Sequence, residues 1–243
     1  MRLPNNTENG LSVGDLIELL TSEAKQAQLV LGKSSHSVRC SALKKIAERI
    51  RTSREQIMDA NQQDLSNANK KQLATSFIDR LILNADRIEA MATGVEAIAD
   101  MPDPLGKSLA KWDVPSGIEI ERVSTALGII GIIYESRPNV TVDAGALCLK
   151  SGNTAILRGG SDSFYSSLML TELIQDCLEE EGLPRTAVQM IPTSDRQAVN
   201  ELLRAVGKVD VIVPRGGKSL VSLVQEKAGV PVLPTLRVSA TFM

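Results

Sequence analysis

Two turns in this chain carry residues that could hold an anion. Arg158-Gly159-Gly160-Ser161 follows the apolar run Thr154 to Leu157, and Arg215-Gly216-Gly217-Lys218-Ser219 follows the run Val209 to Val213. In both, glycine lets backbone N–H groups approach a ligand, the helix that follows would present its positive end, and a cation could pair with phosphate. A glycine pair is also what a plain strand-to-helix turn requires, so neither turn alone assigns a site. Two such turns ending strands of one sheet fit a dinucleotide, with one turn for the pyrophosphate and the other for the adenosine ribose or its phosphate. Neither matches G-x-G-x-x-G or G-x-x-x-x-G-K-[ST], which excludes an ordinary Rossmann or P-loop assignment. A third cluster, Glu135-Ser136-Arg137-Pro138-Asn139, lies just beyond the apolar run Gly128 to Tyr134. Open α/β sheets bind ligands beyond the carboxyl ends of their strands. Asn139 could donate its amide to a developing oxyanion or could simply cap the next helix, and Arg137 could bind a carboxylate or phosphate.

Other chemistries have less support. The three cysteines, Cys40, Cys148 and Cys177, are scattered, with no metal-ligand or redox spacing. Cys148, between Leu147 and Leu149, reads as a small buried apolar residue. The one histidine, His36, falls in a polar turn without an acidic or cysteine neighbour, which argues against zinc sites and histidine-based triads. With 27 basic and 29 acidic residues and no basic run, the chain lacks a track for nucleic-acid phosphate. The longest apolar stretch, around Gly128 to Ile133, is too short to span a bilayer. The first residues lack the apolar core of a signal peptide, so the expectation is a cytosolic protein with no membrane partner.

The elements that would position these residues follow from periodicity. Helical spacing marks Leu16 to Ala27 and Val38 to Ile50, Ser53 and Gln56 suggest a capping box opening a helix through Ala60, and two more helices are expected over Ser76–Leu83 and Asp86–Ala99. All five read as scaffold. After Met101-Pro102-Asp103-Pro104, extended runs flank Pro115-Ser116-Gly117 and predict a two-stranded ribbon over 109–123 that needs a surface to lie against. From Ala126 strands are expected at 127–134, 153–158, 187–191, 209–213 and 230–233, with helices at 139–150, 162–181, 195–206 and 217–227. Such alternation implies right-handed βαβ units and a parallel sheet covered by helices on both faces, an α/β fold with a helical N-terminal region.

The segment Ile132 to Ser161 resembles the gamma-glutamyl phosphate reductases of the aldehyde dehydrogenase superfamily. Ala60-Asn61 with Asp64-Leu65, Asp79-Arg80-Leu81, Met101 to Pro104, Pro192-Thr193 and Val209 to Val221 extend the likeness over about Leu16 to Leu233. The resemblance implies an aldehyde-dehydrogenase-like cofactor-binding domain and NADPH-dependent reduction of L-glutamate 5-phosphate to glutamate 5-semialdehyde in proline biosynthesis. It also implies that Asn139 stabilises an oxyanion, that Arg158 to Ser161 meet the adenosine ribose of NADP(H), and that Arg215 to Ser219 face its pyrophosphate.

The family's nucleophilic cysteine belongs to a downstream domain, and none of the three cysteines here occupies its motif. The expectation is therefore an NADP-binding domain over 1–233 without its catalytic partner, inactive alone, followed by an atypical tail over 234–243. One nucleotide string can encode Thr235 to Met243 and, in another frame, the family's Leu-Glu-Gly-Ile-Cys-His-Val-Tyr, which suggests a frameshift near codon 234. The alternative expectation is a stand-alone NADP-binding or subunit-pairing module, forming a homo-oligomer through the 109–123 arm.

Overall fold

The computed structural model describes residues 11–233, so the expected frameshifted tail lies outside the described residues. Five helices come first: α1 (Val13–Leu31), α2 (His36–Thr52), α3 (Arg54–Lys70), α4 (Thr75–Leu81) and α5 (Ala85–Asp100). An antiparallel ribbon follows, β1 (Ser108–Asp113) and β2 (Glu119–Val123). The remainder alternates as β3 (Ile129–Tyr134), α6 (Asn139–Lys150), β4 (Thr154–Arg158), α7 (Phe164–Glu180), β5 (Val188–Met190), α8 (Gln197–Leu203), β6 (Val211–Arg215) and α9 (Lys218–Lys227). The four later strands form a parallel sheet in the order β5-β4-β3-β6.

Every residue of β3 is buried, as its unbroken apolar run requires. Its side chains alternate between two cores. Ile130, Ile132 and Tyr134 pack with Ile46, Val95, Leu149 and Ile174 of α2, α5, α6 and α7. Ile129 and Ile133 pack with Ile17, Leu20, Leu202 and Val224 of α1, α8 and α9. Each such side chain contributes about 1.5–3 kcal/mol by leaving water, so helices are held on both faces of the sheet. No helix among the described residues is long and apolar enough to cross a membrane.

Several boundaries differ from the sequence reading. Ser53 forms no capping bond; the capping box is instead at Ser12 and Asp15, opening α1. The third helix runs ten residues past Ala60, to Lys70, because Asn61 and Asp64 are tied to other elements. The segment expected as a strand at 230–233 makes one bridge, Ile212 to Val232. The last strand is Val211–Arg215 rather than 209–213, with Pro214 opposite Ile133 of β3. His36, read as lying in a polar turn away from any cysteine, opens α2 and faces Cys40 one turn on, at 3.2 Å.

Two polar residues of α3 lock the N-terminal helices to the sheet's helical cover. Asn61 donates to the Leu81 carbonyl (2.7 Å) and to Ser166 Oγ (3.0 Å) and accepts the Leu83 N–H (2.9 Å). Asp64 accepts the N–H groups of Tyr165 (3.1 Å) and Ser166 (2.8 Å) and the Ser166 hydroxyl (2.6 Å). It thereby caps α7, to which Ser163 gives no side-chain cap. Burial pushes the Asp64 carboxyl upward despite these donors. Asn61→Ala would strand the Leu83 N–H and the Leu81 carbonyl in a buried setting. It is expected to cost about 2–4 kcal/mol in urea unfolding, and a loss below about 1 kcal/mol would contradict the role given to this side chain.

Candidate functional site

The parallel register brings the carboxyl ends of three strands together. Ile133 pairs with Arg158 of β4, Ile133 with Pro214 and Tyr134 with Arg215 of β6, so all three polar clusters emerge at one end of the sheet. A cavity of about 920 Å³ lies over one face of β3 and β6, flanked by α6 and α9. Glu135, Arg137, Asn139 and Asp143 line one side and Arg215, Gly216, Gly217 and Lys218 the other, over Ile132 and Val213. A smaller cavity of about 420 Å³ adjoins it and is lined by Asp79, Arg80, Arg87, Arg137, Asn139 and Asp143.

Asn139 does not cap α6. It is the helix's first residue, the cap position is Pro138, and no side-chain cap bond forms there. Its Nδ2 instead donates to Asp143 Oδ2 one turn on, at 3.0 Å. Burial raises the Asp143 carboxyl, partly offset by the Asn139 amide and the Arg215 charge. An amide held by one N–H keeps its other N–H free for an oxygen in the cavity. Arg137 is exposed and lines both cavities.

The second anion turn is shorter than its sequence suggests. Arg215 ends β6, Gly216 and Gly217 make the turn, and Lys218 and Ser219 already belong to α9, with Ser219 exposed and outside the cavity lining. A side chain at Gly216 would bring its Cβ within 2.7 Å of Glu135 Cδ and 2.8 Å of Leu220 Cδ2, so a larger residue would have to displace the ends of those two side chains. Neither Arg215 nor Lys218 forms a salt bridge among the described residues. The Gly217 N–H donates to Glu135 Oε2 at 3.1 Å, placing a carboxylate at the positive end of α9.

The first anion turn stands apart from the cavity. Gly160 lies against the backbone of Glu135 and Ser136, so the chain at 135–136 separates Arg158, Gly159, Gly160 and Ser161 from Asn139. Arg158 is 7% exposed and turned inward, donating to the carbonyls of Gly159, Ser194 (3.1 Å) and Asp195 (3.4 Å), while its Nε has no partner. Burial holds its guanidinium below the usual arginine range, and the nearby charge of exposed Arg196 adds to that. A short 3-10 turn over Ser161–Ser163 precedes α7, which starts at Phe164 instead of 162.

Glu135, Asp143 and Arg80 were not singled out from sequence as site residues. The spacing of four between Asn139 and Asp143 was a readable helical signal. The Glu135 contact with Gly217 and the place of Arg80 at the cavity join distant segments and carry no such signal.

A family model described as the aldehyde dehydrogenase family matches residues 14–237. The gamma-glutamyl phosphate reductase of Brucella suis biovar 1 is 52% identical over 215 residues, which is 88% of this chain and 51% of that protein. Among solved structures, the gamma-glutamyl phosphate reductase of Thermotoga maritima superposes with a TM-score of 0.87 at 39% identity, covering 90% of this chain and 52% of that one. The Saccharomyces cerevisiae enzyme of the same name gives a TM-score of 0.81 at 31% identity, over 88% and 55% of the two chains. The chain spans about half the length of these relatives. By the match of nearly all its described residues, the chain belongs to the aldehyde dehydrogenase family.

Proposed function

We propose that this chain is the nicotinamide-nucleotide-binding part of a gamma-glutamyl phosphate reductase, which uses NADPH to convert L-glutamate 5-phosphate to glutamate 5-semialdehyde and phosphate in cytosolic proline biosynthesis. The observation that carries this reading is the meeting of two cations that form no salt bridge among the described residues, Arg215 and Lys218, with the Gly217 N–H at the mouth of the cavity that Asn139 also lines. A carboxylate already lies at that N–H, so the position accepts negative charge, and an incoming pyrophosphate would take the place of Glu135. The bound cofactor supplies the hydride. Arg215, Lys218 and the Gly217 N–H bind its pyrophosphate, and Asn139, steadied by Asp143, offers an N–H to the oxygen of the reacting acyl group. Arg137 meets the substrate's phosphate or carboxylate. Two arginines at the edge of the first turn, Arg158 and Arg196, support a preference for the extra phosphate of NADPH, once Arg158 gives up its carbonyl partners.

Among the described residues the cavity holds no thiol suited to a thioester step, since Cys40 and Cys177 lie outside its lining. Cys148 borders the cavity, but burial pushes its thiol up to about 12, and Cys177 is pushed up to about 11. The covalent step needs a thiolate, so the described residues by themselves support cofactor binding rather than turnover. NADPH fluorescence titration is expected to saturate. Arg215→Ala and Lys218→Ala should each weaken binding by about tenfold, and no glutamate 5-phosphate-dependent oxidation of NADPH should occur. Affinity unchanged by both substitutions would contradict the assignment of the turn.

The ribbon supports a second element of this proposal, pairing with another copy of the chain. Nearly every residue of β1 and β2 is exposed, including Leu109 at 61% and Trp112 at 42%, with Ile118, Ile120 and Val123 beside them. A two-stranded ribbon with this much apolar surface gains by lying on a partner. Light scattering is expected to report an oligomer that Trp112→Glu shifts toward monomer. A monomeric parent chain would refute pairing through this arm.

A further inference from the structure

We propose that Cys40, enclosed by Lys150 and His36 where α2, α5 and α6 meet, is a peroxide-reactive modification site separate from the cofactor cavity. Lys150 is the last residue of α6, at the far end of that helix from Asn139, and is only 3% exposed. Its ammonium contacts the Ala99 carbonyl (2.7 Å), His36 Nε2 (2.8 Å) and Cys40 Sγ (3.1 Å). Among the described residues it forms no salt bridge. A buried ammonium without a counter-anion is costly, and of its three contacts the Cys40 sulfur is the one that can take up negative charge. Cys40 Sγ also lies 3.2 Å from His36 Nε2 and 3.1 Å from the Ala99 carbonyl, and the residue remains partly open to solvent. Two helices, α2 and α6, thus bring a nucleophile, a proton acceptor and a cation into mutual contact against a carbonyl of α5.

The chemistry follows from that arrangement. The sulfur attacks one oxygen of a hydroperoxide, an S–O bond forms, and the O–O bond breaks. The thiol proton passes through His36 to the departing hydroxide, which leaves as water. Sulfur loses two electrons, the peroxide gains them, and Cys40 becomes a sulfenic acid. One thiol condenses with it to a mixed disulfide, releasing water, and a further thiol reduces that back to free cysteine. Lys150 meets the negative charge that gathers on sulfur during attack. Cys148 and Cys177 have no equivalent, being buried with their thiols pushed up to about 12 and about 11.

The test treats the whole chain with hydrogen peroxide in the presence of dimedone and maps the trapped sulfenic acid by peptide mass spectrometry, natively and in urea at the same pH. Folding is expected to accelerate trapping at Cys40 by about tenfold while slowing it at Cys148 and Cys177. Lys150→Met, with its thermal transition retained, should remove the native acceleration and leave the rate in urea unchanged. Should that variant not fold, the native-to-urea comparison on the parent chain decides alone. Trapping at Cys40 that is no faster in the folded chain than in urea overturns the proposal.

Discussion

The burial of β3 on both faces governs this molecule. Helices cover each side of the strand, so polar side chains can leave the sheet only beyond its ends. Register does the rest. Tyr134 opposite Arg215 and Ile133 opposite Arg158 bring three segments that are far apart in sequence to one rim. The position of the candidate site follows from strand pairing, which in turn rests on the apolar contacts of Ile129 to Ile133.

Around that rim, charge is distributed unevenly. Several surface arginines of the N-terminal helices are paired, as Arg51 is with Glu89 and Glu96 and Arg49 with Glu180. Arg215 and Lys218 at the cavity form no such pair among the described residues, while Glu135 reaches the helix end between them. Unsatisfied positive charge beside a cavity favours an anionic ligand over water alone. The carboxylate of Glu135 shows that the α9 terminus accepts an anion, and it also sets a competitor that any phosphate must displace.

Much of this was legible in the sequence. The apolar run at β3, the alternation after Ala126 and the two cation-bearing glycine turns gave the parallel sheet and its polar rim. Periodicity could not reveal the length of α3, because its end depends on Asn61 and Asp64 reaching Leu81, Leu83 and Ser166 across the fold. It could not show that Arg158 turns inward to Ser194 and Asp195, since that choice is made by a loop some 36 residues away. His36 and Cys40 are spaced by four and were readable as one helical face, yet the third partner, Lys150, lies 110 residues beyond Cys40 and only the packing of α6 on α2 supplies it.

The central claim is that NADPH occupies the cavity over β3 and β6, between α6 and α9. Hydrogen exchange measured by mass spectrometry with and without NADPH addresses it directly. The account predicts slower exchange across Gly216 to Lys218 and across Ser136 to Val140, with the ribbon of β1 and β2 unchanged. Protection confined to other segments, or none at saturating NADPH, would contradict it.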